Sequence, residues 1–127
     1  MPLKQVVKSS QAPAAIGPYS QAIVAGGWLF ISGQIPIDPG TGEMIPGDIS
    51  AQAARVLENL RAILKEAGKG MDSVVRTTVY LADLSEFAAM NEVYGRYFPD
   101  PFPARATVEV SALPRGARLE IDAIAIV

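Results

Sequence analysis

The chain has 127 residues, 50% of them hydrophobic and 19% charged, which predicts one domain over residues 1–127 and excludes both disorder and any apolar run of the roughly 20 residues a membrane span needs. It contains no Cys and no His, so disulfides, thiolate nucleophiles, imidazole bases and the usual zinc sites are excluded, and chemistry falls to carboxylates, Arg, Lys, Tyr, hydroxyls or backbone dipoles. Eleven cations stand against thirteen acids, scattered and without a run, and neither that balance nor an isoelectric point near 5.0 gives the electrostatic footprint of a nucleic-acid binder.

The opening stretch Met1–Lys8 lacks the apolar segment of a secretory signal, so cytoplasmic residence is expected, with no membrane partner. Val6–Ser10 reads as a short strand. The stretch from Ala12 to Tyr19, with two prolines and a glycine, reads as an ordered loop. Ser20–Ala25 and Trp28–Gly33 are β-rich runs separated by Gly26-Gly27, the signal for a tight hairpin. Pro36–Gly47 is a turn-rich surface connection.

Asp48 then stands where an N-cap belongs. Ile49, Ala53, Val56, Leu57, Leu60, Ile63, Leu64 and Ala67 follow at three- and four-residue steps, and Gly68 supplies a left-handed end, so a helix of about five turns is predicted. Val74–Leu81 alternates as a half-buried strand, with Val75, Thr77, Val79 and Leu81 on one face. A second helix is predicted after Leu84, capped by Ser85, with Phe87, Met90, Val93, Tyr94 and Tyr97 as its core face and Pro99, Pro101 and Pro103 beyond it. The last third reads as a hairpin of Ala104–Val110 and Leu119–Val127 about a Leu113–Gly116 turn.

The order βββαβαββ predicts an α+β, two-layer domain: a mixed sheet with both helices on one face. On the other face Arg118, Glu120, Asp122, Ile124 and Ile126 would lie with Arg105, Thr107 and Glu109, a mixture of apolar and charged groups suited to a homo-oligomer seam.

Arg105 offers bidentate recognition of a carboxylate, against the plainer reading of a surface pair with Glu109 or another strand carboxylate. Glu120, flanked by Leu119 and Ile121, suits a general base in a partly dry cleft, against a solvated or salt-bridged rim residue. Gly33, in Ser32-Gly33-Gln34, allows close approach of backbone to a ligand or marks a bulge. Gly40-Thr41-Gly42 fits no nucleotide-binding fingerprint, and Asp38, Glu43 and Asp48 have no metal-ligand spacing. Tyr94, Tyr97 and Phe98 read as core rather than as a base-stacking platform.

Ala12–Ala22, Ser32-Gly33-Gln34-Ile35-Pro36, Asn91-Glu92-Val93-Tyr94, Pro103-Ala104-Arg105, Val108-Glu109-Val110, Leu113-Pro114 and Glu120-Ile121, in that order along almost the whole chain, resemble the RidA (YjgF) family of reactive-intermediate deaminases. The resemblance implies a chorismate-mutase-like subunit in a homotrimer, its sheets forming a central β-barrel and its active sites lying between subunits. It implies hydrolysis of 2-iminobutanoate and 2-iminopropanoate to 2-oxo acids and ammonia with no cofactor and no metal. It places the substrate-carboxylate clamp at Arg105, the water-activating acid at Glu120 and pocket residues at Tyr19, Ser32, Gly33 and Asn91. Thr107 stands where many members carry Cys; a thiol role is thereby excluded, while a backbone contact survives, so Thr107→Cys should not raise turnover by orders of magnitude. Two other readings accompany the resemblance: an endoribonuclease that inhibits translation, and a non-enzymatic trimer binding small carboxylates or hydrophobic clients.

Overall fold

The computed structural model describes residues 3–127; Met1 and Pro2, the head of the segment read above for a leader, lie outside them. Eight main elements run β1 (Gln5–Val7), β2 (Ala22–Ala25), β3 (Trp28–Gln34), α1 (Ile49–Glu66), β4 (Val74–Leu81), α2 (Phe87–Tyr97), β5 (Ala104–Glu109) and β6 (Leu119–Ile126). They form one six-stranded sheet of order β1-β2-β3-β6-β4-β5, with the parallel pair β4·β5 in an otherwise antiparallel ladder. Mixed sheet and helix pair agree with the two-layer α+β reading.

Local chemistry explains the first half. Gly26 (φ 59°) and Gly27 (φ 82°) take the left-handed conformations of a two-residue hairpin whose twist matches its strands. The Asp48 carboxylate accepts the Ala51 N–H at 3.0 Å, and Gly68 (φ 74°) closes α1 with Lys69 N–H donated to Leu64 and Gly68 N–H to Lys65. The α1 face carrying Ala53, Val56, Leu57, Leu60, Ile63 and Leu64 is buried against β3, β6 and α2. Each large aliphatic side chain in that layer contributes about 1.5–3 kcal/mol on leaving water.

Four local expectations change. Ser85 does not cap α2: Asp83 accepts the Ser85 N–H at 2.9 Å and caps a 3-10 turn, Leu84–Glu86, which leads into the helix at Phe87. A register shift between Val74 and Arg76 turns Val74 into the core and leaves Val75 outside. β5 and β6 are not a hairpin, because β4 lies between them, parallel to β5 and antiparallel to β6. A crossover through α2 puts β5 on the far side of β4, and that covered, long-range pairing leaves no local sequence signal.

The fourth change follows from register. Thr77 and Val79 face the helices and pair with Arg105 and Thr107, so β5 turns Arg105, Thr107 and Glu109 toward the helix layer and Ala106 and Val108 toward the open face. On β6 the buried Leu119, Ile121, Ala123 and Ala125 leave Glu120, Asp122, Ile124 and Ile126 on the open side. Trp28 and Phe30, 44% and 45% exposed, lie on β3 beside Ile126 and Ile124 there, so this face of the single chain presents large apolar groups to solvent. No helix is long and apolar enough to cross a membrane among the described residues.

Candidate active site

The residues singled out in the sequence form two clusters. In the first, Glu120 rises from the open face of β6 into a cavity of about 470 Å³, walled by Tyr19, Gly33, Ile35, Ile37 and Arg115. Gly33 lies at a register irregularity between Ile31 and Gln34, where β3 departs from β6. A Cβ there would stand 2.7 Å from the Glu120 carboxyl carbon and collide with its oxygen, so only glycine lets the carboxylate lie against this backbone. Burial raises the Glu120 pKa above the ordinary carboxylate value, and the negative charge of Asp122 adds to the rise. Neither a salt bridge nor a side-chain hydrogen bond within this chain holds it among the described residues.

Ser32 takes part through structure: its hydroxyl donates to the Ser20 carbonyl at 2.6 Å, fastening the loop that presents Tyr19. The Tyr19 ring is half-exposed, and its hydroxyl accepts the Ile16 N–H at 3.4 Å.

In the second cluster, Arg105 is stacked on α2. Its Nη1 donates to Asn91 Oδ1 at 2.7 Å, and its guanidinium carbon lies 4.7 Å from the Tyr94 ring centre and 5.5 Å from that of Phe87. A cavity of about 400 Å³, walled by Asn91, Tyr94, Gly95, Phe102 and Pro103, opens beside it. Among the described residues, Arg105 is the one charged group lining it. Glu109 does not pair with it; its carboxylate accepts the Leu84 N–H at 2.8 Å. Thr107, two residues along, has its hydroxyl buried without a hydrogen-bond partner among the described residues.

The two clusters do not meet within one chain. Arg105 lies toward the helices on β5, Glu120 lies on the open side of β6, and β4 separates them. The sequence expectation of clamp and base on one hairpin face is corrected by that register.

Residues the sequence reading missed hold the walls in place. Gln21, almost wholly buried, donates to the carbonyls of Ser9, Ala12 and Pro13 and accepts the Ser9 N–H, fixing the Ala12–Tyr19 loop. Asn59, fully buried, donates to the Ile35 and Ile37 carbonyls and accepts from Arg55, fixing the opposite wall. A signal existed for Asn59: it falls at helical spacing between Val56 and Ile63, a polar group on the stripe that enters the core. Arg115 adopts φ 57°, unusual outside glycine, and reaches Gly42 and Glu43 from the Glu120 cavity.

A comparably large hollow beside α1 is polar, lined by Ser9, Arg55, Glu58, Arg61 and Lys65, but Arg61 is already paired to Glu58 at 3.2 Å and Arg55 to Asn59. No group of three acids converges to hold a metal ion among the described residues.

A family model described as Endoribonuclease L-PSP matches residues 9–127. The chain is 59% identical to protein DfrA of Myxococcus xanthus over 125 residues, 97% of this chain and 95% of that one. It is 48% identical over 124 residues to the 2-iminobutanoate/2-iminopropanoate deaminase of Mus musculus, covering 98% and 92%. The crystal structure of YyfA, a conserved Rid-family protein of Yersinia pestis, matches with TM-score 0.95 and 49% identity over 98% of this chain and 99% of that one.

Proposed function

The chain belongs to the Endoribonuclease L-PSP family, that of the RidA (YjgF) proteins, and from that premise we propose that it hydrolyses small 2-imino acids to 2-oxo acids and ammonia. The observation that carries the reading is Glu120: a desolvated carboxylate with a raised pKa, unpaired, seated against the Gly33 backbone in a cavity of ligand size.

Arg105 binds the substrate carboxylate. Tyr19, Ser32, Gly33, Asn91 and Thr107 shape the pocket around it. A protonated imine carbon is already electrophilic, so the chain supplies placement and proton transfer. Glu120 takes a proton from water as the water oxygen bonds to that carbon, and passes it to the nitrogen. Collapse of the carbinolamine forms the C=O bond, breaks C–N and releases ammonia; Glu120 takes the hydroxyl proton and returns it to the ammonia, which leaves as ammonium. No thiol or imidazole is needed, in keeping with a chain that has neither.

Arg105 and Glu120 lie on opposite sheet faces, so one site uses Arg105 of one copy and Glu120 of another. A homotrimer with its open sheet faces turned inward, burying Trp28, Phe30 and Ile126, meets that requirement and the exposed apolar surface together.

The test is to generate 2-iminobutanoate with a threonine dehydratase and follow 2-oxobutanoate. The parent should accelerate its appearance, Arg105→Ala should lose most acceleration through binding, and Glu120→Gln through turnover. Equal rates in all three, or in none above background, would overturn the assignment. The family description favours RNA as a second substrate; the net charge of −2 and scattered cations oppose it. Cleavage that rises with enzyme and falls steeply with salt would restore it.

A further inference from the structure

Tyr94 has two relationships that a core residue does not require. Its hydroxyl lies 2.6 Å from the Thr77 hydroxyl in the fully buried space between α2 and β4. Its ring lies under the Arg105 guanidinium, 4.7 Å from centre to carbon. We propose that Tyr94 is a positioning residue for Arg105, its ring the shelf that fixes the guanidinium plane, with Thr77 locking the shelf by holding the phenol.

The reasoning starts from what an arginine clamp must lose. Four flexible bonds separate the guanidinium from the backbone, and bidentate recognition works only if plane and in-plane rotation are both set before the ligand arrives. Asn91, through the 2.7 Å bond to Nη1, sets the rotation but leaves the plane free to tilt. The aromatic face removes that tilt, because a cation over a ring is attracted along the ring normal. Phe87, at 5.5 Å, bounds the guanidinium more loosely. The ring must itself be fixed: α2 places Tyr94 one turn before Phe98, whose ring packs against it at 4.5 Å, and the Thr77 contact holds the opposite end. Thr77 pairs in register with Arg105 on the neighbouring strand, so one step of the β4·β5 ladder carries both the clamp and the lock for its shelf. The Nε and Nη2 donors make no hydrogen bond among the described residues and remain for a carboxylate lying in the guanidinium plane.

The inference rests on Arg105 being the carboxylate clamp, and the experiment separates the two claims. Binding of 2-oxobutanoate is titrated calorimetrically, and imine hydrolysis is assayed, for the parent, Arg105→Ala, Tyr94→Phe and Tyr94→Leu. Tyr94→Phe keeps the ring but loses the Thr77 lock and should weaken binding by about two- to threefold; Tyr94→Leu should weaken binding and raise KM by about 5- to 30-fold with kcat nearly held, the range expected for a partly desolvated cation–ring contact. Parent-like binding by Tyr94→Leu, or equal losses in the Phe and Leu variants, would overturn the shelf while leaving the clamp standing. Parent-like binding by Arg105→Ala would remove the clamp itself, and the shelf with it. Should Tyr94→Leu fail to fold, the parent decides by NMR: the Arg105 Nε–H resonance, assigned by its loss in Arg105→Ala, should lie upfield of those of Arg55, Arg76, Arg96, Arg115 and Arg118 through the ring current, as that of Arg61 over Tyr97 also should. A resonance among the others would overturn the proposal.

Discussion

Replacing Gly33 with Ala separates the catalytic reading of Glu120 from a structural one. The added methyl would overlap a Glu120 carboxylate oxygen and lie 2.7 Å from the carboxyl carbon and 3.0 Å from Cγ, so the carboxylate must withdraw by more than about 1 Å to reach ordinary van der Waals separation. The atoms displaced are the free end of a side chain rather than backbone, and turning it off its rotamer costs about 0.5–1.5 kcal/mol. Restricting the unfolded chain at a glycine of ordinary φ returns about 0.4–1 kcal/mol, so stability should change by less than about 1 kcal/mol and Tm by no more than about 5 °C. Activity should respond far more, since a displacement of about 1 Å of a reacting group costs on the order of 100-fold in rate. The coupled 2-oxobutanoate assay and a thermal melt on one preparation measure both. Turnover within about threefold of the parent would show that the reaction does not use this placement of Glu120. A collapse of Tm in step with activity would make Gly33 a fold requirement instead.

Arg105→Ala removes charge-assisted hydrogen bonds of about 1.5–3 kcal/mol each, so KM should rise by on the order of 100-fold or more in steady-state kinetics. Glu120 has a raised folded pKa, so the folded chain binds its proton more tightly than the unfolded one; stability falls as pH rises from the unfolded carboxylate value through the raised folded value. Glu120→Gln should therefore be more stable than the parent above that window, by under about 1 kcal/mol because solvent reaches the group, and lose that advantage in acid; denaturant melts at pH 4 and 7.5 measure it. The acid limb of the parent's kcat/KM profile should lie above the ordinary glutamate range and disappear in that variant. Asn59→Ala leaves the Ile37 carbonyl unpaired beside the Glu120 cavity, while the Ile35 carbonyl keeps the Ile37 N–H, and should cost about 1–3 kcal/mol by urea denaturation. Asp48→Ala removes the α1 cap and should cost about 1 kcal/mol with activity intact.

What the sequence determined by itself is local or periodic. Gly26-Gly27 dictates a hairpin because only residues tolerant of positive φ make that turn, and the stripe from Ile49 to Ala67 with Asp48 and Gly68 dictates α1 with both ends. Arg105, Glu120, Gly33 and Asn91 were legible as site candidates through their chemistry and their family pattern. Their arrangement was not. The α2 crossover decides that β4 separates β5 from β6, and a one-residue parity in the β4·β5 ladder decides that Arg105 faces α2 while Glu120 faces away. Alternation along a strand names two faces without saying which is covered; only the pairing partner, Thr77 beneath Tyr94, fixes that choice. The same reason hid Gln21 and Asn59: a buried amide is stabilised by carbonyls 8 to 24 residues away in the chain, and those reach it only after the fold has formed.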